Sequence, residues 1–294
     1  MKGATKMAKK TGHVAVPFLL TIFIGLIILG GGALFAWNYW GLGKSNELKE
    51  PVPRTSGVTT EEDNHTILLV LEQQEYCPPT FVLMRSMPIK KQLVFIGVPS
   101  NSIALADGGQ VSLIDSYNTG GAEAASKFVE SVFDIKISKY AQFSGDALKS
   151  ACDIFGGVSY PVNADIAGLK NDGSSQYLNG DQALTFVTYT MFNGGESERA
   201  FTASSLLSSM VNQSDGQRIA DTLDISFNNI INKIQTNITS ADFKNRKSAI
   251  KFMFEHGNSI AVSVSMDGIS SGNDFIISDG FVQNMKEKYF GGEN

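Results

Sequence analysis

The chain is poor in the residues that build metal and redox centres, with two cysteines and three histidines in 294 residues. His65 and His256 have no cysteine or histidine partner at ligand spacing, which argues against a zinc site. Cys77 and Cys152 lie far apart, and two buried thiols are the preferred reading over a disulfide. Arginine is scarce where it would matter most: between Asn64 and Met210 only Arg85 and Arg199 occur. No acid precedes residue 40, and no internal repeat is visible. Beyond Tyr39 stand 20 Lys and Arg against 29 Asp and Glu, a balance of −9, so a nucleic-acid partner is not expected.

Charge is wholly absent from Val14 to Tyr39, a run longer than the roughly 20 residues that span a bilayer. Lys2, Lys6, Lys9 and Lys10 precede it, and Trp37, Tyr39 and Trp40 close it as an interfacial aromatic belt. A cleaved signal peptide is the rival reading, but its apolar region is shorter, about 7–15 residues, and ends on small residues. The expected organisation is a cytoplasmic tail (1–13), a single transmembrane helix (14–40), an extracytoplasmic linker (41–64) and a folded domain (65–294). This places the protein at the cell membrane with its C-terminal domain outside.

In the domain, TILLVL, TFVLMRSM and QLVFIGVP read as strands, the last two joined by a tight turn at Pro88–Lys91. Gly120-Gly121 opens the helix AEAASKFVESVFD, with Asp115 in the loop before it. ISKYAQF reads as an edge strand, and Ser144 caps a helix that stops at Gly156-Gly157. VSYPV is a strand, followed by a loop from Ala164 to Tyr177. LNGDQALTFV is a capped helix, and SERAFTASSLLSSMVNQ and GQRIADTLDISFNNIINKI are two more. Thr239 or Ser240 caps a helix reaching His256; SIAVSVSM and DFIISD are late strands, and FVQNMKEKYF a closing helix. Alternating strands and helices imply an α/β sandwich. Arg85, in an apolar strand, is expected to point to solvent.

LNGDQALTFV, SLIDSYNTGGAEAASKFVESVFDIKISKYAQF, DIFGGVSYPV and TNITSADF, in this order and spacing, resemble the LytR-CpsA-Psr family of cell-envelope proteins. The resemblance covers about Asn64 to the C-terminus and implies a three-layer α/β/α domain. It further implies a membrane-anchored phosphotransferase that moves a glycopolymer from a polyprenyl-pyrophosphate carrier onto peptidoglycan. Such a protein would use Mg²⁺ or Mn²⁺, arginines and aspartates on the pyrophosphate, and an apolar groove for the lipid tail.

Transferred residue by residue, the resemblance leaves few of those charges. The first acidic position falls on Glu72, the weak metal candidate. The Arg-Ser-Asp-Thr string falls on Cys77–Thr80, and the Pro-Arg-Asp string on Pro99-Ser100-Asn101. The Arg-x-Arg string falls on Thr188-Tyr189-Thr190, expected on one side of a helix, while Glu196 and Arg199 survive in the helix that follows. Catalytic candidates are therefore Glu72, Glu196 and Arg199, and substrate-binding candidates Arg199, Asn101, Thr188 and Thr190. Glu72 and Arg199 read equally well as a structural pair. Phosphoryl transfer depends on cations over the non-bridging oxygens, and losing one such donor costs roughly 10²–10³ in rate. The reading is a non-catalytic scaffold that binds polyprenyl-phosphate lipid or an envelope partner. The alternatives are an active glycopolymer phosphotransferase and a structural ectodomain with a closed groove.

Overall fold

The computed structural model describes residues 58–72, 78–106 and 109–291. The expected tail, the transmembrane run and linker residues 41–57 lie outside these residues, as does Cys77. Among the described residues no helix is long and apolar enough to cross a membrane.

A six-stranded mixed sheet forms the middle layer. Its first three strands, β1 (His65–Leu71), β2 (Thr80–Met87) and β3 (Gln92–Val98), form an antiparallel meander. The Pro88–Lys91 turn closes as expected, with the Lys91 amide donating to the Pro88 carbonyl at 2.9 Å. Two small hairpins extend the chain elsewhere: β4 (Ile103–Ala106) with β5 (Gly109–Ser112), and β7 (Val158–Pro161) with β8 (Ser175–Leu178). β6 (Lys139–Phe143) lies parallel to β1, and the two-residue β9 (Gln235–Thr236) pairs outside it. ISKYAQF is thus not the edge: β9, too short to show a period, takes that place. β10 (Ala261–Val264) runs parallel to β3, and β11 (Gly268–Ser271) with β12 (Asp274–Ile277) make a last hairpin.

Strand periodicity sorts the core into two layers. Leu68, Val70, Phe81, Leu83, Val94 and Ile96 face one way, against α1 (Leu113–Phe133), α8 (Asp279–Met285) and the π-helical turn Lys286–Phe290. Leu71, Val82, Leu93 and Phe95 face the other. There they meet α2 (Gly145–Phe155), α3 (Gly180–Val187), α4 (Gly195–Gln213), α5 (Gly216–Asp221), α6 (Leu223–Ile231) and α7 (Ser240–His256). Both faces of the sheet are covered, as an α/β sandwich requires.

Four readings need correction. Asp115 lies not in a loop but in the first turn of α1, which begins at Leu113, and its amide donates to Ser112 Oγ (3.1 Å); Gly120 (φ −141°) and Gly121 (φ 63°) are non-helical, so a second helical segment opens after the Gly pair as expected. The helix expected over GQRIADTLDISFNNIINKI is two, divided at Thr222. Thr188 is the C-cap of α3 and Thr190 lies beyond the helix, so the two share no helical face. Arg85 is buried, 3% exposed: its Nη1 donates to Thr66 Oγ1 (3.0 Å) and its guanidinium lies 4.7 Å over the Phe290 ring. The strand pattern could not foresee that the chain's last turn would cover it.

Candidate functional site

The strand registers bring the candidate residues to one end of the sheet. Leu71 pairs with Thr80 and with Phe143, and Phe81 pairs with Val98. Glu72, Thr80, Pro99–Asn101 and Gln142 therefore gather at one rim. Helix α4 reaches the same rim because Gly97 lets it lie on β3: a Cβ there would stand 1.9 Å from the Ala200 carbonyl oxygen. The string LNGDQ fixes α3 in similar fashion. Asn179 and Gln182 cap each other's amides (3.0 and 3.1 Å), and a Cβ on Gly180 would meet Asp153 Oδ1 at 2.8 Å, so only glycine lets α3 seat against α2.

Most polar groups at this rim are held by internal partners, while Asn101 Oδ1, Ser102 Oγ and Arg199 Nε are buried without one among the described residues. Arg199, 1% exposed, donates from Nη1 to both Glu196 oxygens (3.1 and 3.2 Å) and from Nη2 to the Pro78 carbonyl. Ser100 Oγ donates to Glu196 Oε2 at 2.6 Å. Thr188 Oγ1 donates to the Leu184 carbonyl (2.7 Å), and Thr80 Oγ1 to that of Val187 (2.8 Å). Asn101 Nδ2 donates to the Asn273 carbonyl at 2.7 Å, holding the β11–β12 turn, and Thr190 stands exposed.

Glu72 belongs to a separate triad rather than to Arg199. Tyr117 Oη donates to its Oε1, and Gln142 Nε2 to its Oε2 at 2.8 Å and to Tyr117 Oη at 2.8 Å. Burial, and then the Glu72 hydrogen bond, push the Tyr117 phenol above its ordinary pKa, so it remains a donor. Tyr117 and Gln142 were missed from the sequence, because neither type is charged. Their position signal was present: Tyr117 in the loop-like SLIDSYNTGG string, Gln142 at a strand end. Both carboxylate oxygens already accept hydrogen bonds, and among the described residues no group of three or more His, Cys, Asp or Glu converges. Mg²⁺ seeks several hard oxygens in octahedral array, and this donor set does not fit it.

Below this rim, between the sheet and the α2–α7 layer, lies an apolar cavity of about 370 Å³. Ile67, Leu69 and Leu71 line it along β1, with Phe95, Phe143 and Met253 among the facing side chains. Its lining runs the whole of β1 from His65 to Leu71, about 20 Å at ~3.3 Å per residue. Helix α3 does not line it: Ala183, Phe186 and Val187 are buried in the core. Instead α3 braces α2, whose Leu148, Ala151 and Ile154 do.

Comparisons with known proteins follow this architecture. A transcription regulator from Eubacterium siraeum superposes with a TM-score of 0.68 at 20% identity, covering 78% of this chain and 92% of that one. Bacillus subtilis TagT, in a structure bound to LI-WTA, gives a TM-score of 0.61 at 16% identity over 81% of this chain and 94% of its own. Biofilm regulatory protein A of Streptococcus mutans is 24% identical over 207 residues, 60% of this chain; the match spans about half (51%) of that curated relative's length. The LytR_cpsA_psr family model matches residues 78–290, most of the chain, and the protein belongs to that family.

Proposed function

We propose that this protein is a lipid-binding, non-catalytic member of its family that serves cell-envelope assembly. The observation that carries the lipid reading is the apolar cavity running the length of β1. Its volume falls in the ~300–1,000 Å³ range of small-molecule sites, and its shape suits a single linear hydrocarbon chain. A polyprenyl phosphate supplies such a chain, and TagT's binding of LI-WTA in the same fold supports a carrier-linked envelope ligand.

The non-catalytic reading rests on Arg199. A pyrophosphate clamp needs a guanidinium free to take phosphate oxygens in place of water. Arg199 instead neutralises Glu196 inside the fold, and Ser100 and the Pro78 carbonyl complete that arrangement. Glu72, Thr188 and Asn101 are likewise held by internal partners. The protein would work from the membrane, holding a polyprenyl lipid for an envelope partner or a glycopolymer enzyme.

The test uses the full chain and a photoreactive polyprenyl phosphate. Capture is expected, with a fall of tenfold or more in Ala151→Trp, which fills the cavity from α2. No capture would overturn the lipid reading. With a polyprenyl-pyrophosphate-linked glycopolymer, peptidoglycan and Mg²⁺ or Mn²⁺, no transfer above background is expected. Transfer that disappears in a folded Arg199 variant would overturn the non-catalytic reading.

A further inference from the structure

A second cavity, of about 360 Å³, opens at the end of the sheet away from Arg199 and Glu196. Ile260 fixes its place. It lines the cavity, and its carbonyl accepts from the Leu93 amide (2.7 Å) where β3 begins, whereas the Pro99–Asn101 rim lies where β3 ends. The walls are the C-terminal end of α4, the first residues of α5 and the turn from α7 into β10. Two glycines let these elements meet. A Cβ on Gly216 would stand 2.5 Å from the Phe254 carbonyl oxygen, and one on Gly257 would stand 2.7 Å from that of Met253. Val211 and Phe254 line both this cavity and the apolar one, so the two share a wall.

Internal hydrogen bonds leave this cavity rich in acceptors. Asn212 turns its side-chain amide to Ala261, donating to the carbonyl and accepting from the amide, each at 2.8 Å. Ser214 Oγ donates to the Val211 carbonyl (2.7 Å), so its lone pairs remain. Gln217 commits Nε2 to both Asp221 oxygens (3.1 Å each), which leaves Oε1. No amide from Gly257 to Ile260 bonds back to α7 among the described residues, so that helix presents its last carbonyls, the negative end of its dipole, to the turn. Charge points the same way: Glu255 lines the cavity, and among the described residues no lysine, arginine or histidine does. The Glu255 carboxylate has a long ion pair of 3.4 Å to Lys251, which also faces Asp221 at 3.9 Å. Asn258 and Ser259, exposed on the turn, make no side-chain hydrogen bond among the described residues and supply donors. Ser259 is held there at φ 51°, a conformation uncommon outside glycine.

We infer that this second cavity binds an amino sugar, with its ammonium group on Glu255 and the end of α7 and its hydroxyls on Ser214, Gln217, Asn258 and Ser259. An ammonium brings three donors and a positive charge, which a carboxylate and helix-terminal carbonyls are suited to accept. Sugar hydroxyls donate to Ser214 Oγ and Gln217 Oε1 and accept from Asn258 and Ser259. The volume stands at the lower end of the ~300–1,000 Å³ range of small-molecule sites. A hard metal ion takes about six to eight oxygens at close range, often from several carboxylates, and here it would find one carboxylate in a space far larger than itself. An anionic ligand would be repelled by Glu255. The inference stands apart from the lipid-binding reading, since it uses a different cavity and different groups.

The experiment titrates the full chain with glucosamine, followed by ligand-observed NMR, beside N-acetylglucosamine, ethanolamine, potassium and calcium. Glucosamine is expected to bind. N-acetylglucosamine keeps the ring and loses the charge, and should bind at least about tenfold more weakly. Ethanolamine keeps the charge and loses the ring, and should also bind more weakly. Glu255→Gln should weaken glucosamine about 10–100-fold, as expected for a lost charge-assisted hydrogen bond, with its melting temperature close to the wild type's. Lys251→Ala removes the long ion pair and should tighten glucosamine binding severalfold, a gain that a merely structural Glu255 would not give. Equal binding of the amine and its N-acetyl form, or of glucosamine and ethanolamine, would overturn the inference. So would indifference to Glu255→Gln, or displacement of glucosamine by potassium or calcium at equal concentration, which would mean an inorganic cation site. Absence of glucosamine binding would overturn it as well, and each of these results leaves the lipid-binding reading standing.

Discussion

Replacing Glu196 with alanine removes the acceptor that Arg199 and Ser100 share. Arg199 is 1% exposed, so its guanidinium would keep only the Pro78 carbonyl and stand in the core without a counter-charge. Breaking a buried pair in this way costs about 3–5 kcal/mol. Glu196 itself is 26% exposed, and water reaching the gap lowers the loss toward about 3 kcal/mol. In a domain of this size each kcal/mol moves Tm by about 2–4 °C, so the variant should melt roughly 6–12 °C lower. Arg199→Met with Glu196→Gln removes both charges together and should recover more than half of that loss. The assay is thermal and urea unfolding by circular dichroism on the wild type, Glu196→Ala, and the cycle of Glu196→Gln, Arg199→Met and their double variant. A pairwise coupling near zero, or a Glu196→Ala loss under about 1 kcal/mol, would refute the claim that Arg199 is an internal structural charge. It would return Arg199 to the list of residues available to a ligand.

Three further outcomes follow from the structure. Gly97→Ala should destabilise by about 1–3 kcal/mol or abolish folding, since its Cβ would meet backbone at 1.9 Å and lift α4 from β3; unchanged urea unfolding would contradict that packing. Burial, the leading cause, holds the His65 pKa down to about 4, below the ordinary 6.5. The unfolded chain then binds the proton first, so its contribution is undiminished above about pH 6.5 and is lost as pH falls to about 4, a change of ~3 kcal/mol. His65→Phe should flatten the wild-type fall over that window, and an unaltered pH profile would count against a neutral, partly buried imidazole. Burial also pushes the Cys152 thiol up to about 12. In a Cys77→Ser background it should react with iodoacetamide at pH 8 only on the timescale of unfolding; prompt labelling of the native chain would place it nearer the surface than the fold does.

Much of the scaffold was legible in local patterns. Apolar runs such as TILLVL and QLVFIGV became central strands, since both of their faces are covered and no polar residue interrupts them. Capping signals carried the helix starts: Asn179 with Gln182, and Thr239 with Asp242, form the reciprocal bonds their spacing suggests. What stayed hidden depends on distant chain. Arg85 is covered by Phe290, more than two hundred residues on, and β9 is a strand only because Tyr140 and Gln142 lie beside it. The site divided along the same line. The family resemblance picked out Glu72, Asn101, Glu196 and Arg199, and the fold gathers them at one end of the sheet. The sequence could not show that Glu196 holds Arg199, or that Tyr117 and Gln142 hold Glu72, because side-chain pairing is set by tertiary approach.

The parallel pairing of β10 with β3 bears on how this chain is made. Ala261 lies beside Leu93, and Val264 beside Ile96, so β3 has no neighbour on that side until residues near 264 have emerged. At synthesis rates of about 5–20 residues per second, the apolar strand QLVFIGV waits roughly 10–30 s with an open edge. Such an edge is a template for pairing with another copy. Long-range parallel closure is also intrinsically slow. A nascent chain truncated before β10 should therefore bind holding chaperones and aggregate, even though most of its residues are already present.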